Sequence, residues 1–457
     1  MRRADLVMAL TALGLGVCAF GGPSLASSIA TAPDRPSSEA GSPGVAWWTM
    51  FGDPVLDALQ DRLQRDNPEL AAAGARYEQA LALLGGSRAE TAPQIQAGAQ
   101  IERSRVSRDR PLSSGRAATY DDLRLGAALS YELDLFGRLR EGVRASQSQA
   151  LAAKADVEAV RLGLQAQLTS AYFQMREYDA RIALLDETVR AYGRAYELTQ
   201  ARHAGGIASG MDVSRARTQA ATAAAERDAA IAARARAEHA VAVLIGQPPG
   251  DFRLASNGKL GDAPAPPQTL PSTLLQRRPD IQAAQHRVTA ANARIGVARA
   301  AFFPSITLGA AGGYQATHDD LIRRPNSYWS LGPIALSLPL FDGGARRADL
   351  RLARAEHEEA SAAYRRVTLA AFQEVEDDLV TARQLAQQIR DQDIAAASAA
   401  RTRDLALDRY RDGAADYLEV ATAQTAALDA QRAVLSLRAQ AFALAADTVR
   451  ALGGAPE

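Results

Sequence analysis

Asn67-Pro68-Glu69-Leu70 and Ala92-Pro93-Gln94-Ile95 open two stretches of sequence that the second half of the chain repeats. They return as Arg278-Pro279-Asp280-Ile281 and Phe303-Pro304-Ser305-Ile306, both 211 positions later, so these stretches align without a gap. In each half the first proline is expected to open a helix and the second to open a strand. A period of about 200 residues is too long for a solenoid unit, and it indicates two internal structural repeats.

Further landmarks recur at a constant spacing of 207 positions. Each half has a glycine, then an acidic residue followed by valine, then a second glycine: Gly206, Asp212-Val213 and Gly246, answered by Gly413, Glu419-Val420 and Gly453. We therefore place the first repeat at residues 54–246 and the second at residues 272–457. A proline-rich linker at residues 247–271 joins them.

The composition of the chain excludes several classes of function. Its 457 residues carry 52 basic and 52 acidic side chains, and this zero net charge argues against nucleic acid as a partner. The single cysteine excludes a disulfide framework and a cysteine-based metal site. Since the chain also lacks paired metal-ligand histidines, a phosphate-binding glycine loop and a GxSxG motif, we expect no enzyme activity and no cofactor.

The N-terminus is predicted to direct export. Two arginines precede an uncharged apolar run at residues 6–20, which indicates a signal peptide over residues 1–26. Leu15-Gly16-Val17-Cys18 also resembles a lipobox, in which case cleavage falls before Cys18 and a lipid is attached there. Both cleavage sites stay open at this point. Residues 27–53 follow as an extended segment that ends in aromatic anchors.

Each half contains a helix too long for a compact domain. Residues 138–204 lack proline, and as a helix they span about 100 Å. Apolar positions in this helix recur in alternating steps of four and three residues, which predicts a coiled-coil seam. The second long helix is expected to be about one heptad longer, because Phe372 and Gly413 lie further apart than Tyr172 and Gly206.

Four other segments alternate between apolar and small or polar residues, at 95–101, 123–131, 306–312 and 334–338. Each suits a tilted membrane strand of about 9–11 residues. A sheet in lipid has to close, and the smallest bacterial barrels have about eight strands, so several copies of the chain are required. The sequence thus predicts an α+β membrane protein in which a β-barrel continues into a tube of helices.

Six motifs, spread over nearly all of the mature chain, resemble those of the TolC-type outer-membrane factors, and within that family the OprM/NodT-like branch. The motifs begin with Trp48 to Asp53-Pro54 and continue with Tyr131-Glu132-Leu133-Asp134-Leu135-Phe136-Gly137-Arg138, Leu274-Leu275-Gln276-Arg277-Arg278-Pro279-Asp280-Ile281, Ala300-Ala301-Phe302-Phe303-Pro304-Ser305-Ile306, Phe372-Gln373-Glu374-Val375 and Arg409-Tyr410-Arg411-Asp412-Gly413.

The resemblance implies a homotrimer in the outer membrane, with a twelve-stranded β-barrel in lipid and a twelve-helix α-barrel in the periplasm. It implies the exit duct of a tripartite efflux pump, which passively conducts small molecules or drugs to the exterior. The implied partners are a periplasmic adaptor protein and an inner-membrane pump of the resistance-nodulation-division (RND) type. A helical tip is expected to open when these partners engage.

The glycines Gly205, Gly206 and Gly413 are predicted to let the long helices stop and reverse, because glycine adopts positive φ readily. In a tube of helices these turns form the periplasmic end. Asp212 and Glu419 follow the turns, and there they also suit helix N-terminal capping and compensation of the helix dipole.

The resemblance also implies a periplasmic gate at these turns. In the family, an aspartate at the position of Asp212 bonds a tyrosine at the position of Tyr410, and Glu419 matches an acidic ring. Thr422 stands where a second aspartate is common, and Ala415 replaces an arginine found in some members. The resemblance therefore predicts a gate that is held closed by side-chain contacts different from those in these members.

Three alternatives stay open. A duct for type I protein secretion belongs to the same family, although Gln276-Arg277-Arg278-Pro279-Asp280 favours efflux. A soluble periplasmic coiled-coil scaffold with an ordinary four-stranded sheet fits the same periodicities. An exported hydrolase lacks any supporting motif.

Overall fold

A computed structural model describes four stretches of the chain, residues 46–109, 115–264, 277–316 and 326–454. The predicted signal peptide and Cys18 lie outside the described residues. So do the first part of the 27–53 segment and residues 265–271 of the predicted linker.

The same order of elements occurs in both halves of the described chain. The first half consists of a 3-10 helix Trp47–Phe51, α1 Pro54–Asp66, α2 Pro68–Ala89, β1 Gln94–Val106, β2 Ala118–Leu133, α3 Arg138–Ala204 and α4 Gly210–Leu244. The second half consists of α5 Pro279–Ala300, β3 Ser305–Ala316, β4 Asn326–Ser337, α6 Ala345–Arg411 and α7 Tyr417–Ala451. The element order follows the predicted one from helix to strand pair to long helix.

Capping side chains fix the starts of the first two α-helices. The Asp53 carboxylate accepts a hydrogen bond from the Val55 amide at 2.9 Å, and Asn67 accepts one from the Leu70 amide at 2.9 Å. Proline follows each of these caps, where its missing N–H costs no helical bond. The predicted start of a helix at Pro68 is confirmed.

The two long helices are equal in length. Both α3 and α6 have 67 residues, and both α4 and α7 have 35 residues. The expected extra heptad in the second half is therefore wrong. At the spacing of 207 positions that relates the helix ends, the partner of Phe372 is Gln165 and not Tyr172. The apparent insertion came from pairing two aromatic residues that are not equivalent.

The four strands form one antiparallel sheet in the order β1-β2-β3-β4. Its central pair joins the two halves of the chain, with Leu129 of β2 opposite Ala310 of β3. The strands have 12 to 16 residues and exceed the predicted length, because pairing extends into the flanking polar residues. The outer edges of β1 and β4 have no strand partner among the described residues. None of the helices in the described chain is long and apolar enough to cross a membrane.

The largest apolar cluster lies where the 3-10 helix and α1 pack on the long helices. Phe173 of α3 stacks on Phe442 of α7 with ring centroids 3.8 Å apart. Trp47 and Trp48, the predicted aromatic anchors, are buried here, and the Trp47 indole donates to Gln165 at 3.1 Å. The N-terminal segment therefore packs against the middle of α3.

A buried ionic network binds the linker to α3, close to this apolar cluster. The Asp179 side chain is 0% exposed and accepts hydrogen bonds from Arg176 at 3.1 Å and Arg234 at 3.0 Å. It also accepts from the Ser256 hydroxyl at 3.0 Å and the Asn257 amide at 3.1 Å. Four donors around one carboxylate satisfy its lone pairs, which is the condition under which a buried charge is tolerated.

In each half, the residue before the repeated proline contacts the end of the last helix of that half. The Asn67 side chain donates to the Leu244 carbonyl at the end of α4, at 2.8 Å. The residue 211 positions later, Arg278, donates to the Ala451 carbonyl at the end of α7, at 3.0 Å. In both halves, the residue before the helix-opening proline satisfies a carbonyl that the last helix leaves free. The start of α2 therefore meets the end of α4, and the start of α5 meets the end of α7.

Candidate functional site at the helical turns

The two helical turns connect α3 to α4 and α6 to α7, and the paired helices are called the first and second hairpins below. Gly206 and Gly413 adopt φ of +77° and +78°, so both turns require the left-handed conformation that glycine allows. Gly205 has a φ of −83° and ends the helix without that requirement. Of the three predicted turn glycines, Gly206 and Gly413 are thus required by the backbone conformation of the turns.

Asp212 is part of a capping box at the start of α4. Its carboxylate accepts from the Ser209 hydroxyl at 2.8 Å and from the Ser209 amide at 3.2 Å, while its own amide donates back to that hydroxyl at 3.2 Å. Arg215, one turn later, lies 3.7 Å away. Within a single chain, Asp212 thus has the capping role, and its partners all lie on its own hairpin.

Glu419 occupies the equivalent position in the second hairpin. Its amide donates to the capping Asp416 at 3.0 Å. Its carboxylate accepts from Arg409 at 2.7 Å, and the same guanidinium donates to the Ala414 carbonyl at 3.3 Å. The Glu419 side chain is 42% exposed, so it presents its charge to solvent beside the turn.

Tyr410 lies at the contact between the hairpins and is 5% exposed. Its hydroxyl is 3.2 Å from the Thr199 hydroxyl of α3, and its ring packs edge to face on Tyr417 with centroids 5.6 Å apart. The family's bond between Tyr410 and Asp212 is not formed within one chain. A bond between these side chains would have to join different chains or follow a rearrangement.

Tyr417 and Gln219 form a second contact between the hairpins. The Tyr417 hydroxyl donates to Gln219 at 3.0 Å, and the Gln219 amide donates to the Ala421 carbonyl at 2.8 Å. Burial raises the pKa of Tyr417 to about 12, and the nearby Tyr410 hydroxyl adds to this shift. Tyr417 is therefore a neutral donor at any physiological pH.

Arg202 makes the shortest hydrogen bonds between the hairpins at the level of the turns, and the sequence did not identify it. Its guanidinium donates to the Tyr410 carbonyl at 2.6 Å and to the Arg411 carbonyl at 2.7 Å, and it lies 4.6 Å from the centre of the Tyr410 ring. Thr199 did carry a signal, because it continues the heptad seam of α3 and places a polar side chain at an apolar position.

The arrangement has the chemistry of a contact and not of a reaction centre. Neutral and charged hydrogen bonds join the hairpins, and exposed carboxylates lie beside them. The described part of the chain contains no group of three or more histidine, cysteine or acidic residues placed to hold a metal ion. Thr422 bonds the Leu418 carbonyl of its own helix at 2.9 Å and takes no part in the contact.

The sequence profile described as "Outer membrane efflux protein" matches residues 59–247 and 270–454, which together make up most of the chain. The chain belongs to the outer membrane efflux protein family. The bounds of the two matched ranges lie close to the bounds of the two predicted repeats.

Curated members of the family match along the whole chain. Outer membrane protein OprJ of Pseudomonas aeruginosa is 34% identical, over 97% of this chain and 94% of its own length. The toluene efflux pump outer membrane protein TtgF of Pseudomonas putida is 33% identical, over 89% of this chain and 85% of its own length.

Solved structures of the family have the same fold. The outer-membrane channel OprN superposes with a TM-score of 0.83 at 30% identity, covering 90% of this chain and 92% of that channel. VceC of Vibrio cholerae gives 0.82 at 30% identity, covering 89% and 98%. This outer membrane efflux protein is therefore a TolC-type outer-membrane channel of an efflux system, and it resides in the outer membrane.

Proposed function

We propose that three copies of the chain form the exit duct of a tripartite efflux pump. In this proposal the chain is duplicated into two structural repeats, the trimer has a twelve-stranded barrel and a twelve-helix periplasmic tube, and the partners are an adaptor and an RND-type pump. The observation that carries the proposal is the sheet of four strands with two unpaired edges, which continues directly into helices of 67 residues. Edges that are unpaired in one chain have to pair between chains in lipid.

The side chains of β4 support a position in lipid. Trp329, Leu331, Ile334 and Leu336 are 67–87% exposed, although water is a poor environment for such a strand. An apolar outer face is what a membrane strand presents to hydrocarbon. This face argues against the alternative of a soluble scaffold with an ordinary sheet.

The duct is proposed to conduct small apolar molecules or drugs without chemistry of its own. Of the relatives described above, TtgF is named as a toluene efflux pump protein and OprJ as an outer membrane protein. The name of TtgF favours efflux over type I protein secretion. The mass of the detergent-solubilised protein tests the assembly: we expect a trimer, and a monomer or dimer in mild detergent would contradict it.

The helical turns are proposed to form the gate at the periplasmic end, with Asp212, Tyr410 and Glu419 as gate residues. Three copies of Glu419 around one axis concentrate negative charge, which favours cations and repels anions. Each Glu419 is paired with Arg409 of its own chain, so the repulsion between copies is partly offset.

Single-channel recordings test the gate. Tyr410→Phe keeps the ring and removes the hydroxyl that meets Thr199, so we expect a higher resting conductance than in the parent. Glu419→Ala should reduce the preference for cations and weaken block by multivalent cations. Thr422→Val is the control, because its hydroxyl bonds only within its own helix. If both gate variants conduct and select like the parent, the acidic residues serve only as caps.

The predicted lipid attachment is a separate proposal. A mature chain that starts at Cys18 would carry a diacyl group, whereas ordinary cleavage after Ala26 gives a free amino terminus at Ser27. The mass of the mature N-terminal peptide distinguishes the two.

A further inference from the structure

Arg202 lies in the last turn of α3 and reaches across to the second hairpin. Both of its charged hydrogen bonds end on main-chain carbonyls, those of Tyr410 at 2.6 Å and Arg411 at 2.7 Å. These carbonyls belong to the last turn of α6, where the helix dipole is negative, and the Tyr410 carbonyl also accepts from the Gly413 amide at 3.1 Å. A planar guanidinium satisfies two such acceptors together and stacks on an aromatic ring, which a lysine ammonium does not do.

The equivalent arginine of the second hairpin makes a different set of contacts. Arg409 lies 207 positions after Arg202, at the same place in the last turn of its helix. Its guanidinium stays within its own turn, on Glu419 at 2.7 Å and the Ala414 carbonyl at 3.3 Å. The repeats thus hold the same residue at the same position, but only the first copy joins the two hairpins.

The other contacts between the hairpins at this level are neutral. The Thr199 and Tyr410 hydroxyls are 3.2 Å apart, and the Tyr417–Gln219 bond is 3.0 Å. Hydrogen bonds with an ionised partner are roughly twice as strong as neutral ones. Arg202 therefore contributes the dominant polar attraction between the turns of one chain.

We propose that Arg202 is the positioning residue of the gate: it holds the turn of the second hairpin against the first, and the turns separate when its bonds to the α6 carbonyls break. The inference rests on the proposed function, which places the turns at the narrow end of the duct. Some members of the family have an arginine at the position of Ala415, and this chain does not. In this proposal, Arg202 supplies the arginine that holds the turns together.

Recordings of purified trimers in planar bilayers test this role. For Arg202→Gln we expect the time-averaged conductance per trimer to rise at least about fivefold, since charged bonds are lost in all three chains. Arg202→Lys keeps the positive charge but loses the planar guanidinium that binds two carbonyls together, so the conductance should rise less, about twofold. Arg411→Gln is the control: it removes a positive charge from the same turn, but its side chain is 64% exposed and bonds only Asp408 of its own helix.

Ion selectivity and the melting temperature of the trimer separate positioning from general stability. We expect both to stay at the parent value in Arg202→Gln while the conductance rises. Parent-like conductance in both Arg202 variants, or an equal rise in Arg411→Gln, would overturn the proposal. If Arg202→Gln does not assemble, Arg202→Lys decides by the same criterion. A parent protein that forms no channel would count against the proposed function, whereas a conducting parent with unchanged variants counts against Arg202 alone.

Discussion

The two hairpins have the same backbone lengths but different charges. Both combine a helix of 67 residues with one of 35, and their ends are related by the same spacing of 207 positions. The buried ionic network around Asp179 belongs to the first hairpin. The positions equivalent to Asp179, Arg234 and Glu238 are all alanine in the second, at Ala386, Ala441 and Ala445.

The second hairpin carries its charges at a different place. Asp378 lies in α6 with one carboxylate oxygen, Oδ2, buried and without a hydrogen-bond partner among the described residues. Burial raises the pKa of Asp378 to about 6, and repulsion from Asp447 adds to the shift, while Arg450 opposes it. The equivalent position in the first hairpin is Ala171.

The comparison distinguishes the features that both hairpins share from the buried charges that differ between them. Both halves keep the helix lengths and the glycine at each turn, although Asp378, Gln392 and Arg403 interrupt in α6 the apolar seam that α3 has. Charges inside the hairpins are not needed for that geometry. In the first hairpin they bind the linker, and in the second they leave an acid poorly paired.

The largest effect is expected from breaking the network of the first hairpin. Asp179→Ala leaves Arg176 and Arg234 buried without their shared partner, so the free energy of unfolding should fall by about 3–5 kcal/mol. Urea unfolding of the solubilised protein measures this. Asp429→Asn is the control, because it removes an exposed partner of Arg432 and should cost under about 0.5 kcal/mol. A similar cost for the two variants would mean that the linker does not depend on the network.

A gain of stability is expected from the second hairpin. Asp378→Asn removes a charge that the fold disfavours, and it should raise the free energy of unfolding at pH 7.5 by about 1–2 kcal/mol, after allowance for solvent screening of a half-buried group. Because the folded pKa lies above the ordinary value of 3.8, protonated Asp378 stabilises the fold below about pH 4, and this contribution is lost as the pH rises through 6.

The advantage of Asp378→Asn over the parent should therefore be absent near pH 4 and complete above pH 7. Asp391→Asn is the matched control, since this carboxylate of the same helix is exposed and accepts from Gln387 at 2.9 Å. An advantage that does not vary with pH would show that Asp378 is not the titrating group.

An effect of similar size, but a loss of stability, is expected at the turn glycines that the two hairpins share. Gly206→Ala and Gly413→Ala should each cost about 1–2 kcal/mol, because φ is positive at both and alanine disfavours that conformation. No atom lies within 4 Å of the added carbon at either position, so the cost is conformational and should be equal in the two hairpins. Gly205→Ala, at φ −83°, should change stability by less than about 0.5 kcal/mol. Melting temperatures of the three variants check this order.

Much of the fold was readable from the sequence because it depends on local signals. Helix starts followed from proline, as at Pro68 and Pro279, and the turn positions followed from Gly206 and Gly413. The strand segments were found from their alternation. Strand ends were not, because pairing with a neighbour and not the local pattern decides where a strand stops.

The site was only partly predictable. The sequence located the turns, but the contacts of Tyr410 and Arg202 depend on how two distant hairpins approach each other, which residue spacing does not encode. Arg202 and Arg409 occupy equivalent positions but have different partners, and their neighbours along the chain do not show which of them reaches the other hairpin. The bond expected from the resemblance, between Asp212 and Tyr410, stays a prediction about assembled chains.

The end-to-end closure of each half has a consequence for the origin of the chain. Asn67 meets the end of α4 and Arg278 meets the end of α7, so each half brings its own termini together. A gene encoding one half would already specify a unit with two strands and one helical hairpin, complete at its ends. Duplication and fusion of that gene requires only a tether between adjacent termini. In the proposed trimer, such a unit would occupy six equivalent places around one axis, and its fusion in pairs is what would allow Arg202 and Arg409 to have different partners.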